Sequence, residues 1–221
     1  MEGILSILNL EPNAVILDLC CGHGRHSLAL AKHGFQMTGL DLSELHIQLA
    51  REAAAEHGLD INWLRRDMRD IPEELESSFD AIINIFGAFG YLESVEEDIT
   101  VLKGVWSALK SNGKFLMETI NRECIIRNYQ PRDWYYTSNG VLVLEERNLD
   151  LATGRSHVKV HIIDEKGNKK IQQHAMRLYS LSEMASLFAS AGLIIQDVFG
   201  AFDKRPYAID APKMIILATK S

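Results

Sequence analysis

Cysteine is scarce in this chain: there are three in 221 residues, an odd number, and Cys20 and Cys21 are neighbours. That is no disulfide framework, and a reducing cytoplasm is the setting it suits. No stretch approaches the roughly 18 uncharged apolar residues of a membrane span. The run from Ala81 to Leu92 falls well short of that length, so no membrane partner is expected. The N-terminus lacks a basic segment ahead of an apolar core, so no secretory signal is expected either. Positive charge is in the minority: Lys and Arg total 23 against 30 Asp and Glu, giving a net charge of -7 and a pI near 5.6. A uniformly acidic surface repels phosphate backbones, which argues against nucleic acid as the main partner. Internal repeats, linkers and low-complexity tracts are also missing. What remains is an ordinary globular composition, 47% hydrophobic and 24% charged, of a length that suits one domain over residues 1–221.

The first 120 residues alternate short apolar runs with helical patterns. Val15–Cys20, Phe35–Leu40, Ile61–Leu64, Phe79–Ile85 and Gly113–Thr119 read as strands. Helices are expected over His23–His33, from Ser43 with Leu45, Leu49 and Ala53 spaced four apart on one face, and from Ser94. The Ser94 helix carries a capping box with Glu97 and a stripe of Val95, Ile99, Leu102, Trp106 and Leu109. Strand, helix, strand at this rhythm means right-handed crossovers and a parallel sheet. The second half changes character. Val141–Asp150, Ser156–Ile163 and Lys170–Tyr179 read as an antiparallel meander inserted in the α/β rhythm. The rhythm resumes at the Ser180–Glu183 capping box, with Met184, Leu187, Phe188 and Ala191 facing inward. Leu193–Phe199 and Lys213–Thr219 close the sheet.

The first βα turn runs Asp18-Leu-Cys20-Cys21-Gly22-His-Gly24. Glycines two apart let a ligand approach the backbone, and the following helix points its free N–H groups into the same space. Asp41 ends the second strand, 23 residues after Asp18, beside the loop, where a carboxylate can accept both hydroxyls of a ribose. The reading is a nucleoside pocket at the carboxyl ends of the strands. Asp67-Met68 follows the third strand. There a carboxylate could meet an adenine amino group and a thioether could pack on its face. With Arg65, Arg66, Arg69 and Asp70 around it, a surface ion pair is the competing use of Asp67.

VILDLCCGHG resembles the first motif of the class I S-adenosylmethionine-dependent methyltransferases, with Asp18 as its acid and Gly22 and Gly24 as its second and third glycines. Cys20 stands where the first glycine is expected. GLDLS resembles the ribose-binding motif at Asp41 and Leu42, RRDM the adenine motif at Asp67 and Met68, and FDAIINIFGAFGYLE the fourth motif at Asn84 and Phe86. The resemblance covers nearly the whole chain. It implies a Rossmann-like, seven-stranded, mostly parallel sheet with helices on both faces and its last strand antiparallel. It also implies S-adenosylmethionine as cofactor and a small-molecule methyl acceptor. The insertion, taken as a substrate cap over residues 132–179, is similar to that of sugar-amine and glycine N-methyltransferases, which favours N-methylation. Only 14 residues precede the first strand, where relatives carry one or two closing helices, so a more open site, a lid from another subunit or a truncated chain is expected.

On the acceptor side, Tyr91 could orient a substrate by its hydroxyl, or pack at a helix entry. Trp134, beside Arg132, Tyr135 and Tyr136, could wall a pocket, or form a satellite core under the meander. Arg177 and Tyr179 alternate onto one strand face and could reach an anionic or hydroxylated substrate; an ion pair of Arg177 with Glu145 or Glu146 competes. No metal is expected: His157 and His161, four apart on a strand, stand roughly 13 Å from each other, and His23 and His26 lack a third ligand nearby. Cys20 or Cys21 could be activated at the helix N-terminus, although packing is the simpler use. No catalytic residue is assigned, because an activated sulfonium asks mainly for positioning. An NAD(P)-dependent oxidoreductase using the same ribose acid, and a non-catalytic cofactor-binding subunit, are the rival readings.

Overall fold

The computed structural model describes residues 1–220. Its main body is a seven-stranded sheet: β1 (Val15–Leu19), β2 (Gln36–Asp41), β3 (Ile61–Arg65), β4 (Phe79–Asn84), β5 (Leu109–Ile120), β10 (Leu193–Phe199) and β11 (Lys213–Lys220). The spatial order is β10-β11-β5-β4-β1-β2-β3. β1 through β5 run parallel, while β11 lies antiparallel between β5 and β10. This is the Rossmann-like, mostly parallel sheet expected. From β1 the chain winds one way to β2 and β3, then crosses back to β4 and β5 on the other side. The strand order therefore reverses between β1 and β4, and a ligand crevice belongs outside the carboxyl ends of those two strands.

Both faces are covered. Because successive strand residues point to opposite sides, Ile16 faces one layer, and Leu17 and Leu19 the other. The first layer is built by α1 (Glu2–Leu8), α2 (Arg25–Lys32) and α3 (Glu44–Glu56), which bury Ile4, Ile7, Leu8, Leu30, Ile47 and Ala50. The second comes from α4 (Val95–Ala108) and α6 (Leu181–Ser190), with Leu102, Val105, Met184 and Phe188 inward. The Phe115 and Phe188 rings stack at 5.7 Å and tie β5 to α6. Both capping boxes form, Ser94 with Glu97 and Ser180 with Glu183. No helix among the described residues is long and apolar enough to cross a membrane.

Two helix faces differ from the sequence expectation. In α3 the buried positions are Ile47, Ala50 and Ala54, while Leu45 and Leu49 are exposed. The helix seats its small residues inward because Trp63 on β3 already fills the space beneath: a side chain on Gly24 would meet both the Trp63 ring and Ala50. In α4 the stripe turns toward Val101, Leu102 and Val105, leaving Trp106 on the rim under the Lys220 ammonium, 4.3 Å from its ring centre.

The insertion is a separate four-stranded antiparallel sheet, not three strands. β6 (Arg132–Tyr136) pairs with β7 (Leu142–Asp150), followed by β8 (Arg155–Ile163) and β9 (Lys169–Arg177). The aromatic segment RDWYY is itself the edge strand β6. Its rings are exposed, so it is no satellite core. A short helix, α5 (Arg122–Arg127), leads into it; the Asn121 side chain caps that helix by accepting from the N–H groups of Glu123 and Cys124. β9 meets the body at the loop after β4, where the Arg177 N–H donates to the Gly90 carbonyl (2.8 Å).

Candidate active site

The loop between β1 and α2 is built on left-handed backbone. Cys20 (φ +63°), Gly22 (φ +56°) and Gly24 (φ +82°) alternate through it. Cys20, standing where the resemblance calls for glycine, adopts the conformation a glycine would take there. The two glycines have different jobs. A Cβ on Gly22 would meet nothing within 4 Å, so its conformation and the free space over it set the residue type. A Cβ on Gly24 would lie 2.6 Å from Trp63 Cη2 and 3.1 Å from the Ala50 Cβ. Gly24 is therefore a packing position against Trp63, a buttress the sequence reading did not single out.

Asp41 closes the loop from the end of β2. Its Oδ2 accepts the Gly22 N–H (2.9 Å) and its Oδ1 accepts the Ser43 N–H (2.9 Å). A carboxylate offers about four lone-pair sites, so two remain for a ligand. Leu42 beside it is 64% exposed, an apolar surface next to the acid. Asn84, at the end of β4, donates from Nδ2 to the Leu19 carbonyl (2.9 Å) and so ties the two strands at the reversal point. Its Oδ1 is buried without a partner. An orphaned buried acceptor costs about 1–3 kcal/mol, and this one lies where β4 ends beside β1.

Asp18 lies underneath the loop, 2% exposed, and its Oδ2 accepts from the Ser27 hydroxyl (2.6 Å). It fixes the loop to α2 from below. Burial raises its carboxyl from 3.8 to about 6, against the Ser27 hydrogen bond, which pulls it down. Between those values the folded chain keeps a proton that the unfolded chain has released, so this group subtracts stability as pH climbs through the window. Asp18→Asn keeps an acceptor for Ser27 and removes the ionisation. Its stability relative to the unmutated chain is expected to rise by roughly 2–3 kcal/mol from pH 4 to pH 7. Urea denaturation at both pH values checks this; an unchanged difference would mean that Asp18 ionises like an exposed carboxylate.

The cysteines are not activated. Burial lifts the Cys20 thiol to about 12, with Asp41 and Asp18 adding to the effect, and burial pushes Cys21 up as well. The negative neighbours and the lost solvent outweigh the helix N-terminus. Cys20 packs instead, its Sγ 3.5 Å from the Met68 sulfur. Asp67 is engaged by its neighbour: Arg69 donates from Nε and its backbone N–H to Oδ1 (both 2.9 Å), and from a terminal nitrogen to Oδ2 (2.7 Å). The same guanidinium reaches Glu97 at the start of α4. These bonds hold the Asp67 carboxyl below its ordinary range.

Phe86, two residues beyond Asn84, lies in the left-handed region. It has φ +79°, a conformation costing a bulky residue about 1–3 kcal/mol, yet its ring is 72% exposed. The Arg25 guanidinium lies over that ring, 4.6 Å from its centre, and the His26 ring is 6.4 Å away. Burial, with Arg25 adding, lowers His26 from its ordinary value, so the imidazole is neutral near pH 7.

The acceptor-side residues divide. Tyr91 stands 6.1 Å from the His174 ring, on the seam where β9 meets the body, and Arg177 belongs to the same seam. Arg177 pairs with Glu183 (3.6 Å), not with Glu145 or Glu146, and covers the Tyr179 ring at 5.1 Å. Tyr179 itself is buried, 4% exposed, donating its hydroxyl to Asp98 (2.5 Å), and so is closed to a substrate. Trp134 lies on β6, at the far edge from β9, about 14 Å away across three strand spacings. The structure does not bring it to Tyr91 and Arg177. Among the described residues no three His, Cys, Asp or Glu side chains form a metal-holding cluster.

A Rossmann-like sheet whose reversal point carries a glycine loop, a strand-end acid and an unsatisfied amide defines a nucleoside-binding protein of the α/β class. The comparisons with known proteins make the class specific. Residues 16–113 match the family model of the methyltransferase domain. Over 114 residues the chain is 32% identical to a ubiquinone biosynthesis O-methyltransferase of Xanthomonas axonopodis pv. citri, covering 51% of this chain and 46% of that protein. The chain thus spans about half the length of the curated relatives it matches. Among solved structures, the CcbJ methyltransferase of Streptomyces caelestis superposes with a TM-score of 0.89 at 18% identity, over 100% of this chain and 89% of that one. The S-adenosylmethionine-bound amino pentose methyltransferase CalS10 of Micromonospora echinaspora gives 0.70 at 22%, over 95% and 84%. The fold is that of the class I S-adenosylmethionine-dependent methyltransferases. The residues present suit that cofactor: open space over Gly22, two free lone-pair sites on Asp41, the exposed Leu42 and the orphaned Asn84 Oδ1.

Proposed function

We propose that this protein transfers the methyl group of S-adenosylmethionine to a small-molecule acceptor, with an amine nitrogen favoured. The observation that carries the reading is the crevice at the strand reversal, where Asp41 and the unpartnered Asn84 oxygen accompany the glycine loop. Asp41 would hold the ribose hydroxyls, Leu42 and Met68 the adenine faces, and Asn84 the donor's amino-acid end. When bound, the cofactor supplies an electrophilic methyl group on a sulfonium, open to in-line attack by an acceptor lone pair. The protein's own part is alignment, plus proton removal where the acceptor arrives protonated. His26, neutral and beside Phe86, is suited to take that proton. Tyr91 and Arg177 are the acceptor-facing residues that share a seam; Trp134 would need a large substrate or another subunit to join them. The four-stranded sheet over residues 132–179 would act as the substrate cap. The resemblance of the insertion to sugar-amine enzymes, and the amino pentose acted on by CalS10, support nitrogen; the ubiquinone O-methyltransferase likeness covers 51% of this chain and supports only the donor.

Calorimetry separates this reading from the dinucleotide alternative. Binding of S-adenosylhomocysteine with none of NAD or NADP is the expected result, and the reverse would overturn it. A methyl-release assay over amines and phenols then tests the acceptor: turnover on oxygen acceptors alone would reject the nitrogen preference. Tight cofactor binding without turnover on any of them would favour a non-catalytic subunit.

A further inference from the structure

The Glu118 side chain bonds to none of Asp41, Leu42, Met68 and Asn84, yet it is buried beside the end of β4. It sits near the carboxyl end of β5, 4% exposed, one residue beyond Met117, which pairs with Asn84. Its Oε2 accepts the Phe86 N–H (3.1 Å) and its own carbonyl accepts the Gly87 N–H (3.2 Å). Two consecutive amides of the chain leaving β4 are thus held by one residue. Both Phe86 and Gly87 are left-handed, at φ +79° and +67°. The other oxygen, Oε1, is anchored by Lys213 Nζ from β11 (2.8 Å). The consequence is the exposed Phe86 ring standing beside the start of α2 with a cation, Arg25, on its face. That ring face is therefore one on which a positive charge already rests, and Arg25 is itself exposed to solvent.

We propose that Glu118 is a positioning residue: by clamping the Phe86–Gly87 turn it holds the Phe86 ring as the seat for the positively charged sulfonium end of the methyl donor. This rests on the methyltransferase reading and deepens it. Without the clamp, Phe86 relaxes to an ordinary φ and its ring leaves the crevice. The donor carries the positive charge and the demethylated product does not, so a cation seat favours S-adenosylmethionine over S-adenosylhomocysteine. That preference is a property that general loosening of the fold would not change selectively.

The test is calorimetric affinity for S-adenosylmethionine and S-adenosylhomocysteine in the unmutated chain, Glu118→Ala, Glu118→Gln, Phe86→Leu and the Glu118→Ala/Phe86→Leu double variant, with a thermal melt of each. Glu118→Ala and Phe86→Leu are each expected to weaken S-adenosylmethionine by roughly tenfold and S-adenosylhomocysteine far less. The double variant should lose no more than either single one, because both act through the same ring. Glu118→Gln, whose one amide oxygen can still accept the Phe86 N–H while its amino group turns toward Lys213, should restore part of the affinity. Equal losses for both ligands, an additive double variant, or unmutated affinity in Glu118→Ala would overturn the clamp. Should Glu118→Ala fail to fold, Phe86→Leu decides by the same selectivity. An unmutated chain that binds neither ligand overturns the methyltransferase reading itself, whereas flat variants of a binding-competent chain overturn only this assignment.

Discussion

Replacing Asp41 with alanine is expected to weaken S-adenosylhomocysteine binding by about 10- to 150-fold, the equivalent of roughly 1.5–3 kcal/mol for charge-assisted hydrogen bonds to a ribose. The structure adds a second route to the same loss. Asp41 also accepts from the Gly22 and Ser43 amides, so alanine releases the loop as well as the sugar. The routes separate by ligand. Adenosine has the ribose but no amino-acid tail. If Asp41 acts on the sugar, adenosine loses as large a factor as S-adenosylhomocysteine. If it acts by ordering the loop around the tail, adenosine loses little. Asp41→Asn should fall between the two, since it keeps one acceptor oxygen and turns a second donor toward the Gly22 N–H. Calorimetry with both ligands makes the measurement, and unchanged affinity for both would remove Asp41 from the site.

The features legible in the sequence are those whose signal is local. The glycine loop, the acid closing the second strand and both capping boxes are each read from a few neighbouring residues, and the structure places each at the expected end of its strand or helix. The α3 face was misplaced because periodicity counts apolar residues without weighing size. Leu45 and Leu49 look more buried than Ala50 and Ala54 until Trp63 is known to fill the layer beneath. Asp67 reads as either ligand or ion pair, and the structure adds the fork of Arg69 on its carboxylate. Glu118 was invisible. One charged residue in FLMETI carries no pattern, and its role exists only because the register sets it beside the end of β4. Trp134 illustrates the same limit from the other side. Aromatics adjacent in sequence suggested a pocket, but pairing placed them on the edge strand farthest from Arg177.

A pair of glycine substitutions should divide the loop into its ligand half and its fold half. Gly24→Ala puts a methyl 2.6 Å from the Trp63 ring on a residue at φ +82°. Overpacking and left-handed strain together cost about 2–4 kcal/mol, so the melting temperature should fall by roughly 5–15 °C for a chain of this size. The sequence alone had suggested that a side chain here acts by excluding ligand; the structure makes it a collision with the scaffold first. Trp63→Phe, which withdraws the outer ring carbons, should recover part of the lost stability in the Gly24→Ala background, leaving only the backbone strain. Gly22→Ala is the counterpart. Its methyl enters open space, and its φ of +56° is close to that of Cys20 in the same loop, a residue with a side chain. The melting temperature should then drop by only a few degrees, in line with about 1–2 kcal/mol of left-handed strain, while S-adenosylhomocysteine binding is lost because the methyl takes the ligand's space. If the two variants behave alike in melting and in binding, the separation of roles is wrong. If Gly24→Ala melts like the unmutated chain yet fails to bind, then Trp63 is no buttress and both glycines serve the ligand directly.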